Sequence, residues 1–304
     1  MTAHTHDHSH THAPADFGTA FAIGIALNVG FVIVGAAFGF IGHSMALLAD
    51  AGHNLGDTLG LVMAWIASVL VRRPPSARYT YGLRSTSILA ALFNAVLLLI
   101  ATGAIALEAI RRFFEPAPVA GNIVMIVAAI GVLVNGFTAL LFLRGRAGDL
   151  NIRGAFLHMA GDAAVSVGVV LAGAAILLTG WRWIDPAVSL AISVVIVAGT
   201  WGLLRDSLNM SLNAVPPNVD AGAVKDYLSG VSGVCAVHDL HIWAMSTTET
   251  ALTCHLVIPT GHPGDAALHA IADQLSHRFG IPHATIQVET NATEDCVLAP
   301  EHTV

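Results

Sequence analysis

Of 304 residues, 55% are hydrophobic and only 11% are charged. A soluble domain carries roughly 25% charged residues, so most of this chain is not built for water. The formal net charge of −7 argues against nucleic acid as a partner.

The chain opens with "HTHDHSHTH", which sets His4, His6, His8, His10 and His12 at alternate positions. Short His-rich tracts bind metal weakly, and residues 1–16 read as a loose cytoplasmic capture tail. A tail without consequence under normal metal supply is the competing reading. No basic n-region precedes the first apolar run, so no cleavable signal is expected.

Six apolar runs follow, each long enough to cross about 30 Å of hydrocarbon. They lie at about 17–42, 46–71, 85–110, 119–143, 154–180 and 184–210. An all-α six-helix transmembrane bundle over 17–210 is therefore expected, with both termini on one side. The loops after the second and fourth runs carry Arg72, Arg73, Arg78, Arg84, Arg144, Arg146 and Arg153; the opposite loops carry Arg111, Arg112 and Arg182. That imbalance places both termini in the cytoplasm.

After Pro216 and Pro217 the character changes. An amphipathic stretch over about 220–229 is followed by "CAVHDLHIWAM" and "ETALTCHLVIP", rich in β-branched and aromatic residues as strands are. "DAALHAIADQLSHRFG" has helical spacing with a stop at Gly280, and "ATIQVE" alternates like a half-buried strand. Residues 211–290 thus read as a small α+β domain of order α-β-β-α-β, with 291–304 as a flexible tail. Cys235, Cys254 and Cys296 all follow the last span, and their odd number gives no disulfide framework. Cys254 reads as a buried structural thiol.

Chemistry concentrates where it is most expensive. In "ALLADAGHNLGDTLG", His53 and Asp57 are four apart and share one helix face, with Asp50 on the same side. The fifth run repeats the device in "RGAFLHMAGDAAVSVG", with His158 and Asp162. A charged side chain near a bilayer centre costs about 2.5–3.5 kcal/mol, so two copies of His-x-x-x-Asp in apolar spans point to function. Two imidazoles and two carboxylates close a tetrahedral site for Zn2+ or Co2+, and the two anions neutralise the cation. A plain His–Asp pair between helices is the competing reading. Asp50 reads either as a ligand met on the way into the site or as a helix cap or helix contact. Asn28, Asn94 and Asn135 read as interhelical hydrogen-bonders, and Gly35 and Gly39 as a close-packing pair. Glu108 is expected to reach the interface. In the soluble domain, His238, His241, His255, His269, His283 and Glu289 crowd into a short stretch, which suggests a second metal site without saying which of them converge.

The chain resembles the cation diffusion facilitator family of divalent-metal exporters, in its bacterial zinc/cobalt/cadmium-resistance branch. The resemblance covers about 17–290 and rests on "LLADAGHNLGD", "YGLRSTSILAALFNAVLLL", "EAIRRFFEPAPV", "HMAGDAAVSVGVVLAG", "DPAVSLAISVVI", "VHDLHIW" and "ATIQVE". It implies a multi-pass protein of the inner membrane, a metallochaperone-like cytoplasmic domain that mediates homodimerisation, and a transport site on His53, Asp57, His158 and Asp162. It maps the cytoplasmic ligands onto His238, His255, His269 and Glu289, with His283 as a further candidate. Gln287 stands where some relatives have a ligating histidine, which puts a full binuclear site in doubt. A third site of some relatives falls in the loop after the second span, and "RRPPSARYTYGLRS" has no His or Asp to build it.

The resulting expectation is a Zn2+/H+ antiporter that exports zinc, with Co2+, Cd2+ and Ni2+ as further substrates. Zn2+ is also its expected regulatory ligand, and no organic cofactor is expected. Ligands must be deprotonated to bind Zn2+, so protons compete for the same groups. An intramembrane zinc protease would need an open metal position and a general base, commonly His-Glu-x-x-His; that motif does not occur, and no enzyme is expected. A membrane-tethered sensor would not need the four intramembrane donors.

Overall fold

The computed structural model describes residues 18–71, 73–115, 118–142 and 150–291; the side chains of 18–24, 60–68, 71, 142 and 150–158 lie outside that description. The His-rich tail 1–16, the tail from 292 onward and Cys296 also lie outside it. Long helices come first: α1 (Gly18–Ile41), α2 (Met45–Val71), α3 (Thr86–Phe114), α4 (Gly121–Phe142), α5 (Leu150–Thr179) and α6 (Ile184–Ser211). Then follow α7 (Ala221–Ser229), β1 (Ala236–Ala244), β2 (Thr250–Val257), α8 (Asp265–Phe279) and β3 (His283–Glu289). The protein is mostly helical, with a small C-terminal α/β domain. Among the described residues, four helices are long and apolar enough to cross a membrane: Thr86–Phe114, Gly121–Leu141, Met159–Thr179 and Ile184–Ser211.

Two compact units partition the chain: residues up to 58 with 98–197, and 59–97 with residues from 198 onward. In the first unit, Phe31, Leu47, Val124, Ala128, Val169 and Ile196 form a buried apolar cluster. Large apolar side chains such as Ile33, Ile100, Leu133, Leu171 and Val194 face outward, as hydrocarbon-facing positions require. Helices α4 and α5 approach closely where Gly121 meets Gly173. A Cβ on Gly173 would lie 3.0 Å from the backbone nitrogen of Met125, and one on Gly121 3.1 Å from the Gly173 carbonyl. Gly35 and Gly39 likewise admit α2, since a Cβ on Gly39 would fall 2.8 Å from Leu48. Close packing is thus what that glycine pair does.

The start of α2 is fixed from far along the chain. Four backbone N–H groups at a helix N-terminus have no intrahelical partner. The Ser44 hydroxyl accepts from the Leu47 N–H at 3.1 Å, as an N-cap does. The buried Asp185 carboxylate, at the start of α6, accepts from the Met45 N–H at 2.7 Å and the Ala46 N–H at 3.3 Å. Ser44 donates its hydroxyl to the same carboxylate. A negative charge at the positive end of the α2 dipole adds to this. The tie sets where the polar face of α2 begins. Nearby, Arg112 donates to the His43 carbonyl, and Glu108 pairs with Arg112 at 3.4 Å and Arg111 at 3.6 Å.

In the second unit, β1 pairs antiparallel with β2, and β2 pairs parallel with β3 through the α8 crossover. Val224 and Leu228 of α7, Leu252 and Leu256 of β2, Leu275 of α8 and Ile281 make its core. Gly280 adopts φ 69 in the left-handed C-cap of α8, where a Cβ would be penalised.

Candidate metal centres

The apolar surroundings of α2 and α5 make each polar side chain there conspicuous. His53 and Asp57, one turn apart on α2, hold Nδ1 and Oδ2 3.7 Å from each other. Across to α5, His53 Nε2 lies 3.1 Å from Asp162 Oδ1. Asp162 is buried, while His53 and Asp57 are half-buried. One donor atom from each of the three falls within 4.8 Å of the others, close enough for a single ion to touch all three. His158 belongs to α5 one turn before Asp162, and its side chain lies outside the described residues.

Asp50 lies one turn from His53 and is fully buried. Ser166 on α5 donates to its Oδ2 at a long 3.5 Å, and its backbone carbonyl accepts from Asn54 Nδ2 at 2.8 Å. It is not one of the three clustered donors. Asn28 does reach another helix, with its amide nitrogen 3.8 Å from Met159 Sδ. For Asn94 and Asn135 no side-chain hydrogen bond of the expected kind is found among the described residues.

A second cluster forms on the sheet. Register places His238 opposite His255, and Glu289 beside Val257 two residues further along β2. His255 Nδ1 lies 2.9 Å and His238 Nε2 3.3 Å from Glu289 Oε1. All three donors again fit within 4.8 Å. His283 is not among them: six residues before Glu289 on β3, it sits about 20 Å away along the strand and packs edge-on against Tyr81, 5.6 Å between ring centroids. His269 stands exposed on α8, outside the cluster. Gln287 pairs with His255 across the parallel ladder and is exposed.

Asp239 is the neighbour that sequence reasoning missed. Its carboxylate lies 2.8 Å from His241 Nε2 and 3.4 Å from His255 Nε2. The motif "VHDLHIW" contained the signal, an acid flanked by histidines, but only the fold aims it. Cys254 packs into the apolar core, on the face of β2 opposite His255. Burial, aided by the Asp239 charge, pushes its thiol up to about 12.

Residues 21–210 match the family model described as the cation efflux transmembrane domain, and residues 216–291 match that of the cation efflux protein cytoplasmic domain. The chain is 38% identical over 292 residues to the zinc transporter ZitB of Escherichia coli, covering 94% of this chain and 92% of that protein. It is 36% identical over 287 residues to the metal cation efflux system protein CzcD of Cupriavidus metallidurans, covering 94% and 89%. It is 35% identical over 275 residues to the cadmium, cobalt and zinc/H(+)-K(+) antiporter of Bacillus subtilis, covering 89% and 88%. Among solved structures, the metal-bound C-terminal domain of the CzcD transporter matches with 36% identity, 23% of this chain, 99% of that chain and a TM-score of 0.22.

Proposed function

The chain belongs to the cation efflux family, and from that premise we propose that it exports zinc from the cytoplasm in exchange for protons. The observation that carries this reading is the convergence of His53, Asp57 and Asp162 inside apolar helices. His158, one turn from Asp162, completes a set of two imidazoles and two carboxylates. That set suits Zn2+ and Co2+, and the names of the relatives extend the substrate range to cadmium.

Exchange follows from the donors. Two carboxylates neutralise the divalent cation, so the loaded site is not a net charge in hydrocarbon. Once the metal leaves, protons take its place on the same ligands. A site alternately open to each side therefore moves metal outward and protons inward. In this reading all six helices α1–α6 span the inner membrane, residues 17–210 form the transport domain, and both termini face the cytoplasm. The domain over 211–290 pairs two copies into a homodimer, in keeping with the cytoplasmic-domain family it matches. It takes Zn2+ as a regulatory ligand on His238, His255 and Glu289.

In everted vesicles, an inward-acid pH gradient is expected to drive zinc uptake, and collapsing it with an ionophore to abolish uptake. Uptake that ignores the gradient would sink the exchange mechanism.

A further inference from the structure

At Asp239 the β1–β2 ladder slips. His238 pairs with His255 but His241 with Thr253, so three steps on β1 match two on β2. Asp239 takes up the extra residue with φ 51. The left-handed conformation is unfavourable for most side chains, and Asp, Asn and Gly tolerate it best. Bulges of this kind re-aim a side chain and recur beside functional sites. Here the bulge turns the carboxylate towards two imidazoles, with Oδ1 on His241 Nε2 at 2.8 Å and Oδ2 on His255 Nε2 at 3.4 Å.

His255 is thereby held from both sides. Its Nδ1 faces Glu289 at 2.9 Å, in the donor cluster with His238, while its Nε2 faces Asp239. A neutral imidazole has one N–H and one lone-pair nitrogen. Ligating histidines commonly donate the second N–H to a carboxylate, which fixes both ring orientation and tautomer. We propose that Asp239 is the positioning residue of the cytoplasmic metal site: by accepting the Nε2–H of His255 it presents Nδ1 as the metal donor. His241 steadies the other carboxylate oxygen. This rests on the reading of His238, His255 and Glu289 as a metal site.

The test uses the purified full chain carrying Asp57→Ala and Asp162→Ala, which disables the transport pair. Zinc affinity is measured at one fixed pH by competition with a chelating dye, and Co2+ absorption reports the ligand field. Asp239→Gly keeps the backbone conformation and removes the carboxylate; it should weaken binding about 10–100-fold and shift the Co2+ bands. Asp239→Asn tolerates the same φ and keeps an oxygen acceptor for the N–H; it should stay within about 3-fold of the parent. Unchanged melting of the metal-free Asp239→Gly protein would separate the loss from unfolding. Parent-like affinity in Asp239→Gly overturns the proposal. So does an Asp239→Asn protein as weak as Asp239→Gly, which would make the carboxylate itself a ligand. If His255→Ala leaves zinc binding untouched, the metal-site reading falls, and the proposal with it.

Discussion

His53 lies against both carboxylates of the α2–α5 cluster, Asp57 at 3.7 Å and Asp162 at 3.1 Å. The identity of this one side chain should therefore govern selectivity. An imidazole supplies an uncharged, borderline-soft nitrogen. A carboxylate in its place adds one negative charge and is shorter, leaving room for a larger cation. His53→Asp is expected to retain zinc transport while raising the Cd2+ to Zn2+ flux ratio several-fold. Proton competition should also change its pH dependence, because a carboxylate replaces an imidazole. Flux of each ion at several pH values measures this; an unchanged ratio would move selectivity away from His53. The clustering of His53, Asp57 and Asp162 was legible in the sequence because hydrocarbon makes each ionisable residue expensive; the side chain of His158 lies outside the described residues. The role of Asp239 was not legible, because it depends on a slip in strand register that no local pattern announces.

At the scale of elements, two ties connect distant parts of the chain. The Asp185 carboxylate at the start of α6 caps α2 through Met45, Ala46 and Ser44. Asp185→Ala strands those buried donors, which costs about 1–3 kcal/mol. The detergent-purified protein should melt several degrees lower than the parent, and parent-like melting would show that the cap is dispensable. The second tie joins the start of α3 to the β1–β2 turn. Arg84 Nη1 lies 2.7 Å from Glu249 Oε2, Ser85 donates to the Met245 carbonyl at 3.3 Å, and the Thr247 N–H donates to Ser87 Oγ at 3.1 Å. This is the loop in which the sequence offered no metal ligand, and an ion pair with hydrogen bonds stands there. Both partners are about one-third exposed, so the pair itself is worth only about 0.5–1 kcal/mol. Arg84→Glu should lower stability by more than that amount, since it also sets two carboxylates against each other, and adding Glu249→Arg should restore it; a thermal-melt mutant cycle reads the coupling. Each single variant matching the parent would leave the pair without energetic weight. The order α7-β1-β2-α8-β3 followed from alternating and helical hydrophobic spacing. Neither tie did, because each joins residues more than a hundred positions apart.

For the whole molecule, the apolar helices and the C-terminal sheet each have their own core. Zinc should raise the melting temperature of a fragment spanning 211–304. It binds donors that only the folded sheet brings together, and His255→Ala should blunt the rise. A melting temperature indifferent to zinc would leave this domain to dimerisation only. Which of its histidines converge was hidden in the sequence, since the β1–β2–β3 register selects His238, His255 and Glu289 and leaves His269 and His283 apart. Deleting residues 1–12 should slow export at scarce metal and spare saturated flux, because a His-rich tract raises the local metal concentration. Flux measured across zinc concentrations separates the two regimes, and loss of saturated flux at normal protein levels would contradict that role.

The central claim is that metal crosses the membrane on the α2–α5 donors, and zinc flux in proteoliposomes with Asp162→Ala tests it most directly. Removing one of two anions leaves the loaded site with net positive charge in a low-dielectric setting. A correctly inserted, folded Asp162→Ala protein should lose at least about 100-fold of zinc flux, together with zinc-coupled proton movement, on the magnitude expected from an uncompensated charge of about 3 kcal/mol. Parent-level zinc flux through that variant would contradict the account and put the transport site elsewhere.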